Sequence, residues 1–182
     1  MTRRVVVPAA VGAVALLAAA YFGYLTLRGR HADPGATQPV SVHTRTVTGK
    51  GFSIGAPASM RVTRKHGTVT LSDKRHSLVV TVGRATAGPL RHTARGFVRS
   101  LRDGYRRVRV LGHQSQRVDG RPALATYGHA VNAHGARIRF VTVTVRARPR
   151  DYAITAFTAY GSDPTRVLPK VNAIASTFRV GG

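Results

Sequence analysis

VRVLGHQSQRVDGRPALATYGHAVNAHGARIRFVTVTVRARPRDYAITAFTAY, residues 108–160, reads as four consecutive strands. They run Val108–Val118, Ala123–Val131, Ala136–Arg148 and Tyr152–Tyr160. Asp119-Gly120 and Asn132-Ala133-His134-Gly135 separate the first three, and both have the composition of hairpin turns. The third strand is the informative one. Ile138 and Phe140 lie on one face, and Val141, Val143 and Val145 lie on the other. A strand apolar on both sides is either covered on both or interrupted by a bulge.

Upstream, the period changes. Ala94, Phe97, Val98, Leu101 and Tyr105 share a sector of about 100° at helical spacing, which predicts a helix over 94–107. Thr93 is its candidate N-cap. Before it, Gly51–Ile54, Thr68–Leu71 and Ser77–Val82 carry strand signals, the last two joined by Ser72-Asp73-Lys74-Arg75. Downstream, Asp163-Pro164 opens a second helix with Val167, Leu168, Val171 and Ile174 on one side, and Phe178 closes the chain. Pro169 is expected to disturb the first turns of that helix. The elements add up to an α+β domain over 44–182, an antiparallel sheet of about six strands with two helices.

Three short pieces resemble a known family. They are Phe52-Ser53-Ile54-Gly55-Ala56-Pro57, Val118-Asp119-Gly120-Arg121-Pro122-Ala123 and Ile174-Ala175-Ser176-Thr177-Phe178-Arg179. With the order of elements across about residues 50–180, they resemble the PsbP-like fold, and within it the LpqN-type envelope proteins of actinobacteria. The resemblance implies an α/β/α sandwich, extracytoplasmic placement, and a binding or accessory role rather than an enzymatic one. It brings no site residues with it, because that fold serves quite different partners.

The N-terminus reads as an anchor. Val5 to Leu27 is 23 residues without a charge, enough to cross a hydrocarbon core of roughly 30 Å. Tyr21, Phe22 and Tyr24 lie near its far end, and Arg28 and Arg30 stop it. The expected organisation is a basic flank at 1–4, a transmembrane helix at 5–27, a linker at 28–43 and the domain beyond. A cleaved signal peptide is the rival, with Ala18-Ala19-Ala20 as its small residues, but cleavage there would leave an exposed Tyr-Phe-Gly-Tyr-Leu start. Arg3 and Arg4 favour the N-terminus inside only weakly against Arg28 and Arg30. The expectation is a single-pass protein of the cell membrane with its domain outside the cytoplasm.

Charge is the other strong feature. The formal net charge is +23, from 29 Lys and Arg against 6 acids, all of them Asp. Such a chain concentrates polyanions or anionic membranes around itself, although Ala, Gly, Val and Arg also rise together under coding bias. Within that background one arrangement stands out. Arg95, Arg99, Arg102 and Arg106 fall within about 60° of one another on the first helix, a candidate anion-binding row, with Arg91, Arg107 and Arg109 at its ends.

Catalytic chemistry finds little support in these residues. There is no Cys, no Gly-x-Ser-x-Gly and no Ser-x-x-Lys. His113, His129 and His134 cluster in sequence, but Asp119 is the only acid near them to complete a metal site. No cofactor or metal is implied, and the protein reads as a non-enzyme. The expected partners are the membrane and either a protein or an anionic polymer of the envelope. A cytoplasm-facing module for nucleic acid is the alternative. Against it, Phe97 and Tyr105 belong to the apolar face, so the basic row lacks the exposed aromatics that single-strand readers interleave.

Overall fold

The computed structural model describes residues 44–74, 78–162 and 164–181. The predicted flank, membrane span and linker lie outside them. The chain forms strands β1 (Thr44–Gly49), β2 (Phe52–Pro57), β3 (Arg61–Lys65), β4 (Thr68–Ser72) and β5 (Leu78–Ala85), then helix α1 (Leu90–Gly104). Strands β6 (Arg106–Val118), β7 (Arg121–Val131), β8 (Arg137–Val145) and β9 (Asp151–Ala159) follow, then helix α2 (Pro164–Ser176) and strand β10 (Arg179–Val180).

Instead of one sheet of six strands there are two sheets. A seven-stranded sheet has the order β3-β4-β5-β9-β8-β7-β6, and a three-stranded one the order β1-β2-β10. The neighbours pair antiparallel. The strands missed in the sequence are β1, β3 and β10. In β3, Arg-Val-Thr-Arg-Lys is exposed apart from a half-buried Val62, so it carries no apolar alternation to read. Charged side chains on such an outermost strand also discourage a further strand from adding there.

Strand β8 shows why it is apolar on both sides. Val143 and Val145 face a core that also holds Val80, Val82, Ala123, Ala125 and Ile154. Phe52, Ile54, Ile174 and Phe178 close that core from the small sheet and α2. Phe140, buried on the opposite face, lies on the side covered by α1. Of the two readings offered for this strand, cover on both faces is the one observed. The bulges are in β6, where the register slips between Arg106 and Arg109 and again between Val110 and Gly112. Gly128 on β7 accommodates the first slip: a Cβ there would strike the Arg109 carbonyl, and the Phe140 ring lies only 2.8 Å away.

Helix α1 differs from its prediction at both ends. It begins after Pro89 with no side-chain cap. Thr93 lies inside the first turn, where its hydroxyl donates to the Thr86 carbonyl at 3.0 Å rather than capping the helix. The helix stops at Gly104, with Tyr105 extended and its N–H on the Leu101 carbonyl. Tyr105 still packs inward, its ring stacked on Phe157 at 5.6 Å between centroids. In α2 the helical run continues unbroken through Pro169, so the expected disturbance does not end the helix. A proline there forgoes one hydrogen bond, and packing of the apolar stripe outweighs that loss.

Candidate anion-binding surfaces

The four arginines of the predicted row do not stay together. Arg95, Arg99 and Arg102 are exposed on α1, turned away from the buried Ala94, Val98 and Leu101. Arg106 is already in β6, where it pairs with Val131. By strand alternation Val131 shares the face of Ala123 and Ala125, opposite the face that α1 covers. The helical period that grouped Arg106 with the others ends at Gly104, and a period of two replaces it. Arg107 occupies the bulge with φ 50°, and Arg109 pairs with His129 on the α2 side.

That switch of face builds a second basic surface, one the sequence period conceals. Arg109 pairs with His129 and His129 with Arg139, so the three form a row across β6, β7 and β8. Arg106, Val131 and Arg137 form the next row outward. Tyr160 sits beside both rows, its N–H on the Arg137 carbonyl at 3.0 Å. The guanidinium carbons of Arg137 and Arg139 lie 4.0 and 4.6 Å from the Tyr160 ring centre, and His129 meets the same ring edge-on at 6.4 Å. Each cation gains from the ring's negative face. Arg139 also borders a shallow apolar cleft beneath α2, walled by Val141, Ala156, Val167 and Val171.

The titratable groups considered for catalysis are dispersed or engaged. His113 is on the α1 side, its Nδ1 2.9 Å from the Thr126 hydroxyl, whereas His129 is on the opposite face and His134 in the β7–β8 turn. Their closeness in sequence does not become a shared site. Among the described residues no group of His, Asp or Glu is placed to hold a metal. The carboxylates of Asp73, Asp119 and Asp151 accept from backbone N–H groups of Leu78, Val180, Gly88 and Ala147. Asp151 is itself buried and ties the β8–β9 turn to the loop before α1.

Among solved structures, the solution structure of cyanobacterial PsbP (CyanoP) from Synechocystis superposes with a TM-score of 0.57. The alignment covers 84% of this chain and 99% of that one, at 15% identity. The fold is PsbP-like. The domain is also similar to the crystal structure of LpqN, involved in cell envelope biogenesis of Mycobacterium tuberculosis, with a TM-score of 0.49 and 11% identity over 81% of this chain and 100% of that one. No family model and no curated protein matches the sequence.

In this PsbP-like domain the three sequence pieces that carried the resemblance come together in space. The Gly55 N–H donates to the Thr177 hydroxyl at 2.7 Å, and Asp119 accepts from the Val180 N–H at 3.0 Å. The Phe52 and Phe178 rings stack at 5.9 Å. These pieces hold β10 and the small sheet against the β6–β7 turn, so their mutual contacts help to specify the fold.

Proposed function

We propose that the protein is a non-enzymatic, membrane-tethered binding or accessory domain facing away from the cytoplasm. In this reading it engages an anionic component of the envelope through the exposed row Arg95, Arg99 and Arg102. The observation that carries the reading is that row itself. Three guanidinium groups stand on the solvent side of a helix whose other side is buried, and none is paired with a carboxylate among the described residues. Between described residues the ion pair is Arg179–Asp119, at 3.7 Å. Like charges at helical i, i+4 spacing cost a few tenths of a kcal/mol, a loss an anionic partner would reverse. The charge-free span at 5–27 supports the tether, and the engagement of Asp73, Asp119 and Asp151 in turns supports a non-catalytic role.

The test uses the full chain in neutral nanodiscs with vesicles of phosphatidylglycerol as the anionic probe. Binding should weaken steeply as salt rises. Arg99→Glu with Arg102→Glu should reduce affinity about tenfold more than Arg45→Glu with Arg61→Glu, since only the first pair would remove direct contacts. Arg45 and Arg61 are exposed on β1 and β3, and both double reversals alter the net charge equally. Equal losses would assign the attraction to the overall field and reject the row as a site.

A further inference from the structure

We infer that the open end of the large sheet, across β6, β7 and β8, is a binding surface for a linear polyanion, held by Arg106, Arg109, Arg137 and Arg139. The four arginines reach one face through an irregularity. Arg106 and Arg109 are three residues apart, a spacing that puts side chains on opposite faces of a regular strand. The register slip between them cancels that alternation. Arg106 pairs with Val131 and Arg109 with His129, which are two apart on β7. Both arginines therefore share the face of Arg137 and Arg139, whose partners are the same Val131 and His129. The slip strains the backbone. Arg107 adopts φ 50°, in the left-handed region that residues other than glycine rarely enter. Position 128 must also lack a Cβ, or it would strike the Arg109 carbonyl. Bulges that re-aim side chains, and strain of this kind, concentrate at functional positions.

The layout of the surface selects the partner. Two strand spacings separate the β6 and β8 backbones, roughly 10 Å, and Arg137 and Arg139 stand about 7 Å apart along their strand. Arg137 and Arg139 are docked on the Tyr160 ring, so the two pairs are separate points of attachment. A chain carrying repeated anionic groups engages both, whereas one small anion does not. Arg106, Arg109 and Arg137 are exposed, and none of the four is ion-paired with a carboxylate among the described residues. Their mutual repulsion is relieved when a polyanion neutralises them. The ring itself is already in use, by both guanidinium groups and by the edge of His129. A nucleic-acid base would compete with those contacts, so the surface reads charge rather than stacking. Helix α2 packs over β2 and β9 on the same face and rises about 10 Å beside the patch. A flat membrane meets the helix first, while a flexible polymer can lie along its foot. This surface is opposite α1 and does not depend on the Arg95–Arg99–Arg102 row.

Fluorescence anisotropy on the full chain in phosphatidylcholine nanodiscs tests the inference, with labelled long-chain inorganic polyphosphate as probe. The chain carries Arg99→Gln and Arg102→Gln throughout, which removes the α1 row and makes the result independent of it. Arg137→Gln with Arg139→Gln, and separately Arg106→Gln with Arg109→Gln, should each weaken binding about tenfold and flatten its salt dependence. Arg45→Gln with Arg61→Gln removes the same charge from exposed positions on β1 and β3, and should weaken it only about twofold. Arg106 and Arg109 are exposed, so their pair keeps the test decisive even where Arg139→Gln disturbs the packing on Tyr160. Losses equal to the Arg45–Arg61 control would overturn the surface. So would a loss confined to Arg137 and Arg139, or pyrophosphate competing as well as the polymer at equal phosphate concentration, since either describes a site for one small anion. Two further results would also overturn it. Tighter binding of oligothymidylate than of an abasic strand of equal length, lost with these arginines, would assign the surface to nucleic acid. Binding of phosphatidylglycerol vesicles that falls with the same four arginines would assign it to lipid.

Discussion

Asp119 joins a turn to a distant strand. With φ 51° it begins the two-residue connection that Gly120 completes at φ 69°, the pattern its Asp-Gly sequence predicts. Its carboxylate then reaches the Val180 N–H, 61 residues away. The accompanying ion pair to Arg179 is 3.7 Å long with side chains 48% and 24% exposed, so it adds little. The hydrogen bond to β10 is the larger contribution. Asp119→Ala should therefore cost about 1–2 kcal/mol in urea denaturation and raise hydrogen exchange at Val180, while Asp119→Asn keeps an acceptor and most of the stability. Unchanged protection of Val180 in the alanine variant would mean that Phe178 alone anchors β10. Arg179 is engaged as well, donating to the Ser176 and Phe178 carbonyls, so it is no neutral position for testing charge.

At the scale of an element, α1 separates burial from spacing. Its apolar positions were recognised from their period, yet they are not equally buried. Ala94 and Leu101 are 0% and 6% exposed, whereas Phe97 is only half-buried at the margin of the interface. Leu101→Ala should cost about 2–5 kcal/mol by thermal or chemical unfolding. Phe97→Ala should cost less, because part of its ring already meets solvent. The reverse order would show that the helix is rotated relative to the packing described here. The same element shows how period analysis runs past an end. Tyr105 faces inward in either conformation, so it satisfied the helical pattern although it belongs to the extended segment after Gly104.

For the whole molecule, the testable expectation is where the domain sits. The charge-free segment 5–27 and its arginine flanks predict retention in the membrane fraction after carbonate washing. A reporter fused after Gly182 that works only outside the cytoplasm should be active. Activity of a cytoplasm-only reporter would reverse the orientation and favour the nucleic-acid alternative. Release by carbonate would favour a cleaved leader over an anchor. The net charge of +23 acts at this scale too, attracting any polyanion over a Debye length, which is why the reversals in the α1 row are matched by equal reversals elsewhere.

Local features were legible along the chain: a helical period over 94–107, though not the ends of that helix, the Asp-Gly and Asn-Ala-His-Gly turns, and the β6–β9 meander. Each depends on contacts between near neighbours along the chain. The Asn132 side chain accepts from the N–H groups of His134 and Ala136, only two and four residues on. The sequence also carried the three short pieces that anticipated a PsbP-like fold, because burial constrains residues such as Phe52, Ile54 and Phe178 whatever their distance apart. The rest depends on contacts between segments far apart in the chain. Strands β1 and β3 are recognisable through their partners rather than their own composition, and β10 is two residues held in place by β2 and Asp119. Arg106 left the predicted row, and Arg137, Arg139 and Tyr160 met, for the same reason. Strand register assigns each side chain a face, and register is set by pairing between segments far apart in sequence, which no local period encodes.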